Sequence, residues 1–222
     1  MLVMAKVPVP GQVKTRLGRV VGDHAAAELA ACCLLDTLDV CETVFPHRRL
    51  RHVALAGDPG RSVRRTELSE RLDGWTVHPQ RGEGLSERLA HAHADVARTS
   101  GLPVVQLGMD TPHLGAEQLA AVAEAVGHGN DAVLGPAEDG GWWVLAVTDP
   151  RFAEVLVAVE MSRERTYADT RAALEAAGAR VVDTVTLRDV DTAGDAELCA
   201  AAAPSTRFGR AWVLVSARHP LT

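Results

Sequence analysis

Apolar and polar positions follow two rhythms along the 222 residues, and the rhythm changes at short, turn-rich breaks. Residues 2–5 (Leu2-Val3-Met4-Ala5) form an apolar run that predicts a short buried strand. Residues 23–41 instead place Ala26, Leu29, Ala30, Cys33, Leu34 and Leu38 at the three-to-four spacing of a helix. Further strands are predicted at 50–56, ending in the turn Gly57-Asp58-Pro59-Gly60, and at 75–78, 103–108, 131–134, 142–147 and 180–187. Helices are expected at 61–72, a charged surface segment, and at 85–98, 116–126, 150–159, 163–177 and 193–202. Residues 211–215 leave two readings open, an added strand or part of a C-terminal extension.

Strand and helix alternate with short connections, the pattern of a mostly parallel, doubly wound α/β sheet covered on both faces. The length suits one domain, placed at residues 1–203, with 204–222 as an extension. In such a sheet ligands bind beyond the carboxyl ends of the strands, near the switch in strand order. The unusual loops are all predicted at those ends: Lys6 to Leu17, Gln80 to Gly84, Asp110, and Asp189 with Asp191.

Charge sharpens the picture at the first loop. The chain holds 21 arginines but only two lysines, and both, Lys6 and Lys14, lie in the segment Lys6-Val7-Pro8-Val9-Pro10-Gly11-Gln12-Val13-Lys14-Thr15-Arg16-Leu17. Lysine where arginine is otherwise the rule points to positions that need a compact point charge, and phosphate is such a ligand. Pro8 and Pro10 stiffen the loop, Gly11 admits close approach, and a helix N-terminus follows. No glycine pair precedes Lys14-Thr15, so this is not a Walker A motif. As a loop residue Lys14 is expected to be exposed and to add little to the core. The net charge of −6 and pI near 5.8 argue against a nucleic-acid surface, which leaves a small anionic ligand.

Asp110 follows a buried strand and precedes Thr111-Pro112, so its carboxylate is held at the lip of the sheet. Beside bound phosphates it calls for a divalent cation, and Mg²⁺ is usually held by one or two carboxylates plus substrate phosphates. The simpler alternative is a turn or helix cap. Asp189 and Asp191 alternate along an extended stretch, share a face, and are a second candidate ligand set, or else Asp191 or Thr192 caps the last helix. Gly82 and Gly84 suit a backbone that approaches a base or phosphate. Asp139-Gly140-Gly141 before Trp142-Trp143 either shapes an acceptor pocket or is a hairpin turn with two core rings. His91 and His93 face apart on a helix and make a poor metal pair, and His113 reads as an exposed turn residue. Cys32, Cys33, Cys41 and Cys199 lack C-x-x-C spacing and read as small buried hydrophobes in a reducing compartment. Neither a signal-peptide core before Pro8 nor a membrane-spanning apolar run is found, so a soluble cytoplasmic protein is expected, with no nucleic-acid or membrane partner and a monomeric or homodimeric state.

The combination Lys6-x-Pro8-x-Pro10-Gly11-x-x-Lys14-Thr15-Arg16-Leu17, Gln80-x-Gly82-x-Gly84-Leu85-x-x-Arg88, Gly108-x-Asp110-x-Pro112, Gly135-Pro136-x-x-Asp139-Gly140-Gly141 and Asp189-x-Asp191-Thr192-x-x-Asp195 resembles a bacterial family of uncharacterised transferases. Its members are often labelled arsenosugar-type or selenodomain-associated glycosyltransferases. More distantly the set is similar to 2-phospho-lactate guanylyltransferase and to the molybdenum-cofactor nucleotidyltransferases. The resemblance implies the GT-A type nucleotide-diphospho-sugar transferase fold, a Rossmann-like three-layer sandwich on a mostly parallel mixed sheet. It also implies that Lys14 and Arg16 hold the phosphates, with Lys6, Pro10, Gly11 and Thr15 of the same loop around them. Gly82 and Gly84 would contact the nucleotide, together with Gln80 and Arg88 of their motif. Asp110 would bind Mg²⁺ or Mn²⁺, with Asp189 and Asp191 as further ligands, and Asp139, Gly140, Gly141 and Trp142 would line the acceptor pocket. Two enzymatic readings follow. In the first, NMP passes from an NTP to a small phosphorylated or acidic acceptor. In the second, a glycosyl group passes from a nucleotide-sugar. A non-catalytic nucleotide-binding domain is the third.

Overall fold

The computed structural model describes residues 1–219, and the last three residues of the predicted extension lie outside the described part. Seven strands form one sheet: β1 (Leu2–Lys6), β2 (His52–Ala56), β3 (Thr76–Pro79), β4 (Val104–Gly108), β5 (Ala132–Pro136), β6 (Trp142–Val147) and β7 (Val181–Asp183), in the order β3-β2-β1-β4-β6-β5-β7. β6 runs antiparallel to β4 and β5, and every other pairing is parallel. The mostly parallel mixed sheet predicted from the alternation of elements is therefore present.

Side chains alternate across β1, and each set meets a different helical layer. Val3 and Ala5 pack with Leu34 and Leu38 of α2 (Asp23–Val44). On the same face lie Leu68 of α3 (Arg65–Leu72) and Leu119 and Val122 of α5 (Ala116–Ala125). Leu2 and Met4 pack on the other face with Leu89 and Val96 of α4 (Gly84–Ser100) and Leu174 of α6 (Thr166–Ala176). A third cluster joins Leu17 and Val21 of α1 (Thr15–Val21) to Leu29 and Cys33 of α2. It also takes in Cys199 of α7 (Ala193–Ala202) and Phe208 and Trp212 of α8 (Arg207–Ser216). The four cysteines are buried and unpaired with one another, as expected of small hydrophobes.

One open reading is decided and two expectations are corrected. Residues 211–215 belong to α8, so the reading as an added strand falls away. Asp36 of α2 accepts the backbone N–H of Arg207 and Phe208, and Thr206 accepts that of Gly209, so the free amides of the first turn are satisfied from outside the helix. The predicted strand at 180–187 keeps only Val181–Asp183 in the ladder. Thr184 N–H donates to Leu134 and Leu187 N–H to Pro136, three residues against two, so the chain bulges between them. The buried Trp143 indole takes the Val185 carbonyl freed by the bulge, at 2.8 Å. Finally, residues 150–158 form a 3₁₀ run started by Pro150 and capped by Asp149, where an α-helix was expected.

Candidate active site

The strand order reverses between β1 and β4, because β2 and β3 lie to one side of β1 and the later strands to the other. A crevice is expected at the carboxyl end of that pair. The loop after β1 delivers Lys14 to it, and the residue pair following β4 delivers Asp110. Lys14 Nζ lies 2.7 Å from Asp110 Oδ1 and 3.6 Å from Asp191 Oδ1. The lysine side chain is 5% exposed, against 42% for Asp110 and 43% for Asp191, so the cation is inside and the carboxylates face solvent. The expectation of an exposed Lys14 is thus overturned. Its backbone explains how a loop residue becomes buried: φ 47° and ψ 43° place it in the left-handed region at the N-cap of α1, turning the side chain inward. Burial disfavours the ammonium, but Asp110 above all, then Cys33 and Asp191, hold its pKa above the ordinary lysine range.

Asp191 also accepts from Arg16 Nη1 at 3.2 Å. The segment around it is stitched to the site by the backbone, since Val190 N–H donates to Asp110 carbonyl oxygen at 2.9 Å while the Val190 side chain is buried. Asp189 and Asp191 on either side then share the opposite face, as their alternation predicts. Burial, followed by the charges of Asp139 and Asp191, pushes the Asp189 carboxyl up to about 6, with Lys14 acting against the shift. The capping alternative is realised one residue later: Thr192 caps α7 and forms a reciprocal box with Asp195, which leaves Asp191 to the cations.

The other predicted residues divide into those turned toward this crevice and those used by the fold. Lys6 and Thr15 are exposed, as are Pro10 and Gly11. Gln80 Nε2 donates to the carbonyls of Ala5 and Ala54, both at 2.9 Å, at the ends of β1 and β2. An inverted amide would set an oxygen against two oxygens, so only Oε1, an acceptor, remains for a ligand. A side chain at Gly82, at φ +111°, would meet Glu87 Cβ at 2.7 Å, so α4 packs against this position and requires glycine there. Gly84, at φ +76°, has open space beside it. Arg88 Nε donates to the Gly82 carbonyl at 3.2 Å and steadies the same loop. Trp142 is half-buried: its indole donates to Thr170 at 3.1 Å and its ring packs against the core. Asp139 remains at the site through its effect on Asp189, and Gly140 is required because any Cβ there would lie 2.1 Å from the Glu164 carbonyl oxygen. His113 is half-buried, with an Nδ1 that finds no partner, and burial lowers its pKa. The direct Lys14–Asp110 pair was not anticipated, and the scarcity of lysine was its one sequence signal.

The family described as "Uncharacterized protein conserved in bacteria (DUF2064)" matches residues 37–163, more than half of the chain. The chain belongs to this family. No curated protein matches it. Among solved structures, a candidate nucleotide-diphospho-sugar transferase from Desulfovibrio desulfuricans G20 is 26% identical with a TM-score of 0.80, covering 98% of this chain and 94% of that one. A cytidylyltransferase from Leptospira borgpetersenii serovar Hardjo-bovis (strain JB197) is 13% identical with a TM-score of 0.54, over 100% of this chain and 96% of that one. CMP:2-keto-3-deoxy-manno-octonic acid synthetase, in complex with CTP, is 12% identical with a TM-score of 0.50, over 89% and 95%. The last two likenesses concern the fold alone. This DUF2064 chain therefore has the nucleotide-diphospho-sugar transferase fold, and its structural neighbours are nucleotidyl and glycosyl transferases. No described helix is long and apolar enough to cross a membrane.

Proposed function

We propose that the chain is a divalent-metal-dependent nucleotidyltransferase, in which a small phosphorylated or acidic acceptor attacks the α-phosphorus of an NTP. The new bond forms from the acceptor oxygen to that phosphorus, the bond to the bridging oxygen breaks, and pyrophosphate carries the electron pair away. The observation that carries this reading is the placement of Lys14, Arg16, Asp110 and Asp191 together at the β1/β4 switch point. Lys14 and Arg16, with Lys6 nearby in sequence, would hold the phosphates and stabilise the charge that develops on the leaving group. Gln80 and Gly84 would border the nucleoside, and Asp139 would face the acceptor.

The donor set fits a hard cation. Among the described residues no three His, Cys, Asp or Glu side chains gather into a closed cage. Mg²⁺ rarely needs one, since phosphates and waters complete its shell. Asp110 and Asp191 already share a cation, the Lys14 ammonium, and Asp189 beside them is crowded by like charge. Mg²⁺ or Mn²⁺, when bound, would supply charge neutralisation across the phosphates, with Asp110 as its first ligand and Asp189 and Asp191 as further ones. A second reading, glycosyl transfer from a nucleotide-sugar, is favoured by the description of the Desulfovibrio relative. Products separate the two. Incubation with Mg²⁺, mixed NTPs and small phosphorylated acids is expected to release pyrophosphate. Release of a nucleoside diphosphate from a nucleotide-sugar, with no pyrophosphate from any NTP, would establish the second reading instead.

A further inference from the structure

A buried ammonium between two half-exposed carboxylates is an unusual way to store a phosphate-binding lysine. The Nζ of Lys14 reaches an oxygen of Asp110 at 2.7 Å and one of Asp191 at 3.6 Å, which is the place a bridging cation would take. The left-handed backbone at Lys14 is one of only two such non-glycine conformations among the described residues, and it keeps the ammonium inward. Arg16 holds the remaining oxygen of Asp191 from the solvent side.

We propose that Lys14 is a built-in counter-cation: without ligand it neutralises Asp110 and Asp191 and excludes a divalent metal, which the carboxylates accept only after phosphates have drawn the ammonium away. This rests on the metal and phosphate reading above but concerns the order and coupling of binding, which that reading leaves open. A dication placed against Asp110 would sit within a few ångströms of the ammonium and be repelled. A phosphate between the two cations removes that repulsion, so metal and phosphate each strengthen the binding of the other by the same factor.

The test is a Mn²⁺ titration of the full chain, followed by the electron paramagnetic resonance signal of the free ion, with no nucleotide present. Lys14→Met keeps the unbranched length in its buried position and removes the charge. The variant is expected to bind Mn²⁺ at least tenfold more tightly than the wild type. Equal affinities would overturn the proposal. The wild type also tests it without any variant, because Lys6 and Lys14 are the only lysines and an amine-reactive label read by mass spectrometry reports each separately. Lys14 is expected to stay protected when Mn²⁺ alone is added, while Lys6 labels. Exposure of Lys14 by Mn²⁺ alone would also overturn the proposal. Tighter Mn²⁺ binding in Lys14→Met, with no NTP turned over by the wild type, would leave this inference standing and remove the nucleotidyl reading. Pyrophosphate release with unchanged Mn²⁺ affinity would do the reverse.

Discussion

Two clusters of charge in this protein use the same kinds of carboxylate and end up chemically opposite. One joins α2, α3 and α8, where Arg64 holds Glu28 and Glu67, Arg71 holds Asp39 and Glu42, and Arg207 holds Asp36, Asp39 and Glu67. Planar guanidinium forks reach several acceptors at once, and Asp36 spends its remaining capacity on the first amides of α8. The other cluster sits at the β1/β4 crevice, where Asp110 and Asp191 pair with Lys14, Asp191 pairs also with Arg16, and Asp139 and Asp189 add negative charge close by. Its carboxylates are half-exposed, its cation is a single buried point charge, and Asp189 is left with a raised pKa. The first cluster is saturated and fastens a helix. The second keeps acceptor capacity facing solvent, which is the condition for taking a ligand.

Breaking the second cluster should have the larger effect. Asp110→Asn leaves Lys14 buried with only the more distant Asp191, so stability is expected to fall by about 2 kcal/mol, less than for a fully buried pair because Asp110 faces solvent. Urea unfolding measures this, and turnover is expected to fall at least 100-fold with no remaining response to Mg²⁺. Wild-type turnover and metal response would make Asp110 a structural residue. In the first cluster, Asp36→Ala removes the amide acceptors of α8 and a partner of Arg207, with an expected cost of about 2 kcal/mol. Nucleotide-dependent stabilisation should be unchanged in that variant, and a lost response would show the two clusters to be one unit.

Much of this contrast was legible in the sequence, though not all of it. The strands β1 to β6 follow from apolar runs bounded by turns, and the loops after β1, β3 and β4 were placed at one edge because parallel neighbours put their carboxyl ends there. Lysine scarcity marked Lys14. Its burial was not visible, because it depends on a left-handed backbone and on a partner brought in from β4. The role of α8 was hidden for the same reason: Phe208 and Trp212 have helical spacing and Thr206 caps the start locally, but the first two amides of the helix are taken by Asp36, far away in the chain. Gln80 was singled out for a ligand while half of its amide serves the strand ends, a division that only three-dimensional placement reveals.

Acid acts on the buried histidines of the core and, in the crevice cluster, on Asp189. His93 is fully buried, and burial, partly offset by Gln106, lowers its pKa to about 4. The unfolded chain binds that proton near its ordinary pKa of about 6.5, so between these values the unfolded state holds more protons and stability falls as pH falls. His52, lowered to about 4 by burial, adds to this slope, while Asp189, raised to about 6, binds its proton more readily in the folded state and opposes it, so the net slope is on the order of 1 kcal/mol per pH unit from about pH 6 to pH 4. Equal slopes in the wild type and Asp36→Ala would show that the cap contributes independently of the histidine. The smallest effect is expected from Arg207→Lys, about 1 kcal/mol, because a point charge keeps one partner of a fork that has three. A loss as large as that of Asp36→Ala would mean that the fork, and not the cap, fastens α8.

The central claim is that the crevice cluster receives nucleotide phosphates together with a divalent cation. The most direct measurement is the thermal stability of the wild-type protein against a panel of NTPs and nucleotide-sugars, each with and without Mg²⁺, since a ligand that binds only the folded state must raise its midpoint. At 100 times the dissociation constant the stabilisation is about 2.7 kcal/mol, a rise on the order of 5–10 °C for a chain of this size. The account predicts such a rise for at least one NTP, clearly larger when Mg²⁺ is present than when it is not, and no added rise from Mg²⁺ in Asp110→Asn. A rise that is the same without Mg²⁺, or the same in Asp110→Asn, would contradict it.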